Sequence, residues 1–335
     1  MGQVDVRERL EVVVRLRTLL LVVAVVALQP AAHAGEAPWP TKPLRLIVGF
    51  APGSVTDVFA RVISVPLGET LGQSIVVDNR PGANGNLATE LVARSAADGH
   101  TLLMSSGSAI AINPHVYATL KVDPLKDLEA IAPVARVSLF LVTRTTLPVT
   151  SVADFVALAR AQPGRLKYGT PGNGSSPHIA AEMFARAAGV SFTHVPYKGS
   201  AAAVNDLLGG QIDFWFDPGL GLPYVKAGRL RMLATASAKR TPLLPDVPAL
   251  AEANLHAVDA DTWFGVYGPV GLPRGVVQRL NAEIGRIVQT PQVIDRLTVT
   301  ASEPAVMSSK DFAALQRSAS QRFAGIVRAA GIKID

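Results

Sequence analysis

Short apolar runs alternate along this chain with segments whose apolar residues recur every three or four positions. The runs predict β-strands at residues 44–49, 75–77, 101–104, 134–143, 166–168, 193–195, 212–216, 230–235 and 262–267. Several segments between these strands have the spacing of amphipathic helices. Strands and helices that alternate in this way predict an α/β fold with a largely parallel sheet.

The predicted helices have recognisable starts and stops. Ser151, followed three residues later by Asp154, is typical of the first turn of a helix. A helix is predicted to begin near Asp57, and Pro66 should bend or end it, because proline lacks the N–H that a helix interior needs. Two further helices are predicted after residue 270.

The order of strand, glycine turn and helix occurs twice along the chain, and it restarts at Leu166. The strands predicted at 134–143 and 262–267 flank this second occurrence and are interpreted as crossings between two lobes. We therefore predict an α/β molecule with a discontinuous first lobe, residues 35–138 plus 266–335, and an inserted second lobe, residues 139–265. The roughly 300 residues that follow residue 34 also fit two lobes better than one core.

The first 34 residues have the order of regions found in a secretory signal peptide. Four arginines precede the apolar residues 19–28, and Ala32-His33-Ala34 supplies the small residues of a cleavage site. An apolar run of this length is too short to span a bilayer, and a signal anchor is the alternative interpretation. We predict export to the periplasm with cleavage after Ala34, and no later transmembrane segment.

Composition excludes several classes of site. The chain has no cysteine, which rules out disulfides, iron–sulfur clusters and cysteine zinc sites. Its net charge of +6 is spread out without a basic run, a pattern that suits an anionic small molecule better than nucleic acid. The sequence therefore predicts a small-molecule partner and no nucleic-acid partner.

Two glycine-rich turns, each between a predicted strand and a predicted helix, are the strongest functional signal. They occupy residues 50–57 and 168–178, and in the second Ser176 is predicted to cap the helix that Pro177 opens. Converging N–H groups and the positive end of a helix make such a turn an anion site. Because neither turn contains Lys or Arg, we expect the backbone N–H groups of residues 53–56 and 172–176 to hold the ligand's charge.

Several polar side chains near these turns allow both a functional and a structural interpretation. Lys198 either attracts a carboxylate or is a solvated turn residue, and Asp57 either contacts the ligand or satisfies free helix amides. His178 is predicted to donate a hydrogen bond into the cleft, with a local brace as the alternative. His194 is predicted to serve packing. Asp217 follows a strand end, where α/β proteins bind their ligands.

Motifs of the common enzymes are missing from the sequence. There is no G-x-S-x-G elbow, H-E-x-x-H pair or P-loop, and the glycines near residue 170 do not have dinucleotide-binding spacing. His178, His194 and His256 are not spaced as metal ligands. We predict no catalytic residue, no metal and no cofactor, so the protein is not expected to be an enzyme.

With its motifs taken together, the chain resembles the Bug family of extracytoplasmic solute receptors from about Trp39 to Ile332. Besides the two glycine turns, the resemblance rests on Trp39-Pro40, Asp78-Asn79-Arg80-Pro81-Gly82-Ala83-Asn84-Gly85, Asp98-Gly99-His100-Thr101-Leu102-Leu103, His194-Val195-Pro196-Tyr197-Lys198-Gly199, Pro245-Asp246-Val247-Pro248 and Trp263-Phe264-Gly265. It implies a two-lobed type II periplasmic-binding (Venus flytrap) fold. It also implies a receptor that captures a small carboxylate for the membrane subunits of a tripartite tricarboxylate transporter, and we expect a monomer.

The resemblance also implies the ligand-binding residues. In the first lobe they are Phe50, Gly53, Ser54, Thr56, Asp57, Ser105, Ser106 and Gly107. In the second lobe they are Thr170, Gly172, Asn173, Gly174, Ser175, His178, Tyr197, Lys198, Gly199 and Asp217. The chain departs from the family pattern at Ser54, where a glycine is usual, and at Pro218, where asparagine is common.

Three alternative functions follow from the same residues. The receptor could serve a sensory protein instead of a transporter, or the chain could be an exported α/β enzyme that turns over a carboxylate. The third alternative is the effector domain of a transcription regulator, but the export signal and the lack of a helix-turn-helix segment argue against it.

Overall fold

The computed structural model of this chain describes residues 39–333, so the predicted signal peptide and its cleavage site after Ala34 lie outside the described residues. The strands are β1 Leu44–Val48, β2 Ile75–Asn79, β3 Thr101–Ser106, β4 Leu128–Val137, β5 Phe140–Arg144, β6 Lys167–Thr170, β7 Thr193–Pro196, β8 Phe214–Asp217, β9 Leu230–Thr235, β10 Thr262–Pro269 and β11 Ser302–Pro304. The helices are α1 Val55–Leu71, α2 Asn86–Ala93, α3 Asn113–Val116, α4 Pro124–Asp127, α5 Val152–Ala161, α6 Ser176–Ala188, α7 Ser200–Leu208, α8 Leu222–Lys226, α9 Arg274–Ile287, α10 Pro291–Thr298 and α11 Ser309–Ala330.

The strands form two sheets, one for each lobe of a mixed α/β fold. The first sheet has six strands in the order β11-β4-β10-β3-β1-β2, and the second has five in the order β7-β6-β8-β5-β9. Both sheets belong to the compact unit that begins at Lys42. The predicted two-lobed α/β fold is therefore confirmed, while the residue-level lobe boundaries stay predictions.

The expectation of a largely parallel sheet is wrong in part. Parallel pairing joins β1 to β2 and β3 in the first sheet, and β6 to β7 and β8 in the second. The strands that lead between the lobes pair antiparallel, as β10 does with β3 and β4 and as β5 does with β8 and β9. Each lobe thus has a parallel half, where strands end in turns and helices, and an antiparallel half.

The single crossing strand predicted at residues 134–143 is two strands. β4 ends at Val137 in the first sheet and β5 begins at Phe140 in the second, with Ser138 and Leu139 between them. Both strands are buried, so their apolar residues form one unbroken run that conceals the change of sheet.

Helix α1 continues through Pro66, which we expected to bend or end it. Val62, Ile63, Leu67 and Leu71 on either side of the proline are all buried. Burial of this face stabilises the helix beyond the turn in which proline removes one hydrogen bond. Tertiary packing therefore overrides the local signal.

The C-terminal helix α11 packs against both lobes. Phe312 in its first turns joins a cluster with Ile47, Leu103 and Tyr267 beneath the first sheet. Farther along, Phe323 and Val327 join the core of the second lobe, as do Ala111, Ile112 and Val116 from the segment after β3. The helical turns at 108–116 are not among the helices predicted from the sequence.

Among the described residues, no helix combines the length and the apolar character needed to cross a membrane.

Candidate functional site

A cavity lies where the glycine turns of the two lobes face each other. Its volume is about 460 Å³, which includes space open to solvent at the cavity mouth. The first lobe and the crossings contribute Phe50, Ser54, Val55, Thr56, Ser106, Ser108, Leu139, Thr262 and Phe264 to its wall, and the second lobe contributes Pro171, Ser175, Ser176, Pro177, Gly199, Ser200 and Pro218. We call this space the inner cavity.

Every side chain that lines the inner cavity is neutral. Eight of the lining residues are Ser or Thr, and the rest are glycine, proline or apolar residues. An anion in this space would therefore be held by hydroxyl groups and backbone dipoles.

Three helices begin at the inner cavity. The first residues of α1, α6 and α7 are Val55, Ser176 and Ser200, and all three line the cavity. The first N–H groups of a helix have no partner within it, and the aligned peptide dipoles add partial positive charge there. The three helix starts thus make the cavity electropositive without a charged side chain.

The first glycine turn is held from behind by Asp57. Its carboxylate accepts hydrogen bonds from the Gly53 N–H and the Asn79 amide, both at 2.9 Å, and from Arg61. Burial raises the pKa of Asp57, but the bonds from Arg61, Gly53 and Asn79 outweigh it and hold the pKa below its usual value. Asp57 thus braces the turn through Gly53, Asn79 and Arg61 rather than through free amides of the helix.

Ser54 caps α1. Its hydroxyl accepts from the Asp57 N–H at 3.2 Å, and its own N–H donates to the Ala51 carbonyl at 3.1 Å. The serine that replaces a usual glycine thus adds a helix cap at the cavity wall.

The second glycine turn is closed by internal hydrogen bonds. The Gly174 N–H donates to His178 Nδ1 at 3.1 Å, and the Ser175 N–H donates to the Gly172 carbonyl at 3.3 Å. The predicted cap is displaced by one residue, because Ser175 occupies the N-cap position and its hydroxyl bonds to Gly172 O at 2.7 Å. Ser176 is the first helical residue.

These bonds correct the expectation about which amides face the ligand. The N–H groups of Gly53, Ser54, Gly174 and Ser175 are engaged within their own turns. Within residues 39–333, no protein acceptor lies at the N–H groups of Val55, Thr56 and Ser176, which line the inner cavity. The available donors are therefore the first residues of the helices rather than the glycines.

His178 is buried and its Nδ1 accepts from the Gly174 N–H, which favours the local brace that we gave as the alternative to a donor into the cleft. Its ring stacks on His194 with centroids 4.1 Å apart, and His194 in turn stacks on Tyr168 at 4.8 Å. Burial lowers the pKa of both histidines to about 4, so both are neutral near pH 7. His194 also lies 2.7 Å from the Thr170 hydroxyl, which agrees with its predicted packing role.

A second, larger space adjoins the inner cavity. Phe50, Pro171 and Gly199 line both spaces, and Gly172, Asn173, Tyr197 and Lys198 line only the outer one. Lys198 is exposed there, whereas the Tyr197 hydroxyl donates to Asp206 at 2.7 Å. The predicted second-lobe loop therefore divides between the two spaces.

Other predicted site residues lie outside the inner cavity wall. They are Gly53, Asp57, Ser105, Gly107, Thr170, Gly174, His178 and Asp217. Asp217 is fully buried at the end of β8 and accepts from the Gly221 N–H at 2.8 Å. Burial raises its pKa to about 7.

Sequence reasoning missed several lining residues. Ser108 and Thr262 come from the helical turn after β3 and from the start of β10, neither of which was considered for the site. Ser200 could have been found, because it opens a helix directly after the Lys198-Gly199 motif. Within the described ranges, no three His, Asp or Glu side chains are grouped closely enough to hold a metal ion.

Comparison with known proteins identifies close relatives of this chain. The model of the "Tripartite tricarboxylate transporter family receptor" matches residues 59–332. Protein BugT of Bordetella pertussis is 36% identical over 307 residues, which cover 91% of this chain and 94% of BugT. The similarity to BugT therefore extends over nearly the full length of both proteins.

Solved structures share the fold. R. palustris Rpa4515 with adipate is 37% identical with a TM-score of 0.84, covering 88% of this chain and 99% of that one. MatC from Rhodopseudomonas palustris with bound malate is 28% identical with a TM-score of 0.80, covering 86% and 100%. The periplasmic binding protein BugD is 27% identical with a TM-score of 0.82, covering 88% and 99%.

Proposed function

Because this chain belongs to the receptor family of the tripartite tricarboxylate transporters, and is thus a solute-binding receptor rather than an enzyme, we propose that it captures a small carboxylate in its inner cavity. The observation that carries the proposal is the meeting of three helix N-termini at a cavity with a neutral lining. Helix N-termini favour anions, because their free N–H groups and the helix dipole point toward the ligand.

The chemistry of two relatives supports a carboxylate. Adipate and malate, named with the two R. palustris structures, are both dicarboxylates. The inner cavity of this chain offers amides and hydroxyls to one carboxylate, and the adjoining outer space, with Lys198 at its wall, has room for the rest of such a molecule.

The donor set can be tested by removing one amide. Val55→Pro deletes the N–H at the first position of α1, where proline is tolerated, and Ser54 already has the extended backbone that precedes proline. One hydrogen bond to a charged group contributes about 1.5–3 kcal/mol, so we expect a loss of affinity of about tenfold or more. The probes are adipate, malate and any carboxylate that native mass spectrometry finds with the protein.

Val152→Pro is the matched control. Val152 is also a buried valine at the first position of a helix, α5, and it follows a capping serine with an extended backbone. Calorimetry should show wild-type affinity for this variant. Equal affinity of Val55→Pro and wild type would contradict capture by the start of α1.

We further propose that the loaded receptor delivers its ligand to the membrane subunits of a tripartite tricarboxylate transporter, on the strength of the family match. Uptake into vesicles that contain those subunits should then require the receptor. A protein that binds the ligand tightly but stimulates no uptake would favour the sensory alternative.

Export is the last part of the proposal. The arginines, apolar run and Ala32-His33-Ala34 of the sequence motivate it. Amino-terminal sequencing of the periplasmic protein should begin near Gly35, and full-length protein in the cytoplasm would contradict it.

A further inference from the structure

A buried polar cluster lies where the chain passes between the lobes. The first crossing is Ser138-Leu139, between β4 and β5, and the second is the segment from β9 to β10, which starts near Ser237 and ends at Asp261. Ser138 is 2% exposed and Ser237 is 1% exposed. Polar side chains buried this deeply almost always have a hydrogen-bond partner.

Asp261 is the centre of this cluster. Its carboxylate accepts from the Ser237 hydroxyl and from Arg136 Nε, the latter at 3.1 Å. The Ser237 hydroxyl lies 3.3 Å from that of Ser138 and 3.0 Å from that of Thr235. The Asp261 carboxylate thus links Arg136 of β4, in the first sheet, to Ser237, which follows β9 of the second sheet. Through Ser237 the link extends to Ser138 in the first crossing.

The same cluster reaches a further contact between the lobes. Arg136 lies 3.7 Å from Glu303 in β11, and Glu303 accepts from the Thr241 hydroxyl at 3.1 Å. Thr241 follows β9, so this bond also joins a first-sheet strand to the segment that leaves the second sheet. A change of angle between the lobes must rearrange these bonds.

The cluster is also continuous with the inner cavity. Thr262 directly follows Asp261, is 4% exposed and lines the cavity. A side chain on Gly107 would come within 2.6 Å of the Thr262 hydroxyl, so the glycine leaves room for Thr262 to pack there. A shift of Asp261 therefore moves a wall of the ligand site.

We propose that Asp261 is a positioning residue that sets the angle between the lobes and couples it to the inner cavity. In the described arrangement the cluster holds both crossings at fixed separation, which brings the turns of the two lobes together around the ligand. Loss of the charge on Asp261 loosens both crossings and shifts the lobes toward the open state. This inference rests on the proposed function, because it assigns the control of that cavity.

The test measures the lobe angle directly. Asp261→Asn keeps the shape of the side chain and removes its charge, and Asp259→Asn is the control. Asp259 lies in the same segment but pairs with Arg322 of α11 at 2.8 Å, and it makes none of the bonds to Arg136 or Ser237 that Asp261 makes. Because the chain has no cysteine, spin labels can be placed at Leu87→Cys on α2 and Ala202→Cys on α7, exposed positions on opposite lobes.

Without ligand, Asp261→Asn should give a longer and broader distance between the labels, whereas Asp259→Asn should match the wild type. If the variant adopts the closed state one tenth as often, its apparent Kd rises about tenfold. Ser237→Ala removes the bridging hydroxyl and leaves every charge in place, and it should shift the label distances in the same direction. If Asp261→Asn does not fold, Ser237→Ala takes its place in the test.

Wild-type distances in the folded variants would overturn the proposal. The ligand-free measurement does not depend on the identity of the ligand, so a failure of carboxylate binding would count against the proposed function and leave this test intact.

Discussion

At the scale of single residues, His178 holds the second glycine turn in shape from inside the second lobe. Its Nδ1 accepts the Gly174 N–H, and its ring is 8% exposed and stacked on His194. An unpaired N–H at a buried turn costs about 1–3 kcal/mol. We therefore expect His178 to affect ligand binding through the turn rather than by contact.

We expect His178→Ala to lower the free energy of unfolding by about 1–3 kcal/mol and to weaken ligand binding with it. His178→Asn can place its Oδ1 near the position of Nδ1 and should recover much of the loss. Chemical denaturation and calorimetry check both effects, with the exposed His256→Ala as control. A loss of affinity at unchanged stability would point back to a ligand contact.

A second prediction concerns Asp217, whose pKa is raised to about 7 by burial. Below pH 3.8, its unperturbed value, the carboxyl is protonated in both the folded and the unfolded state. Between that pH and 7 only the folded state keeps the proton, so a rise in pH costs stability, by up to about 1.4 kcal/mol per pH unit.

Asp217→Asn removes this cost. The stability of the variant relative to the wild type should rise from pH 4 to pH 7 and then level off, as measured by urea denaturation at several pH values. A difference that does not change with pH would show that Asp217 is ionised in the folded protein throughout.

The sequence located the two turns of the site but not the atoms that face the ligand. Glycines, capping serines and helix starts are local signals, and they predicted where the chain turns at residues 53 and 174. Whether an amide is available depends on bonds made by side chains farther along, such as Asp57 to Gly53 and His178 to Gly174. These bonds form only in the folded turn.

At the scale of elements, α1 illustrates how packing overrides a local signal. Pro66 leaves one carbonyl of the preceding turn without its usual donor, yet the helix runs on to Leu71 because its apolar face is buried. A proline in a helix interior costs about 3 kcal/mol relative to alanine.

We therefore expect Pro66→Ala to stabilise the protein by about 1–3 kcal/mol, since proline also restricts the unfolded chain and part of the gain cancels. Val65→Ala, at a neighbouring position that is 65% exposed, should change stability little. Thermal and urea unfolding of both variants measure these changes in stability. A Pro66→Ala variant less stable than the wild type would mean that the helix depends on the proline.

The crossing between the lobes marks a limit of hydrophobic periodicity. A buried strand that ends in one sheet and a buried strand that begins in another produce one continuous apolar run, as in residues 134–143. Periodicity therefore predicted one strand there and could not reveal its division into two strands at Ser138.

At the scale of the whole molecule, the lobes share parts of their cores. Helix α11 contributes Phe312 beneath the first sheet and Phe323 to the second lobe, which also takes in residues 111 and 112 from the segment after β3. Such shared packing makes it costly for one lobe to unfold alone.

We expect the two lobes to unfold together in urea, in one cooperative transition. With Trp39 replaced by Phe, single-tryptophan variants that retain either Trp215 in the second-lobe core or Trp263 on β10 report on each lobe. Their midpoints should coincide in the wild-type background and remain together, at lower urea, when Phe323→Ala is added. Separate midpoints would show that the lobes unfold independently.

The neutral lining of the inner cavity has a consequence for the exchange of protons with the solvent. A carboxylate that is already ionised meets hydroxyls and amides there, none of which gains or loses a proton near neutral pH. Heats of binding measured in buffers of different ionisation enthalpy should therefore agree. A receptor built in this way would continue to load its ligand when the surrounding compartment becomes mildly acidic, for as long as the ligand itself stays ionised.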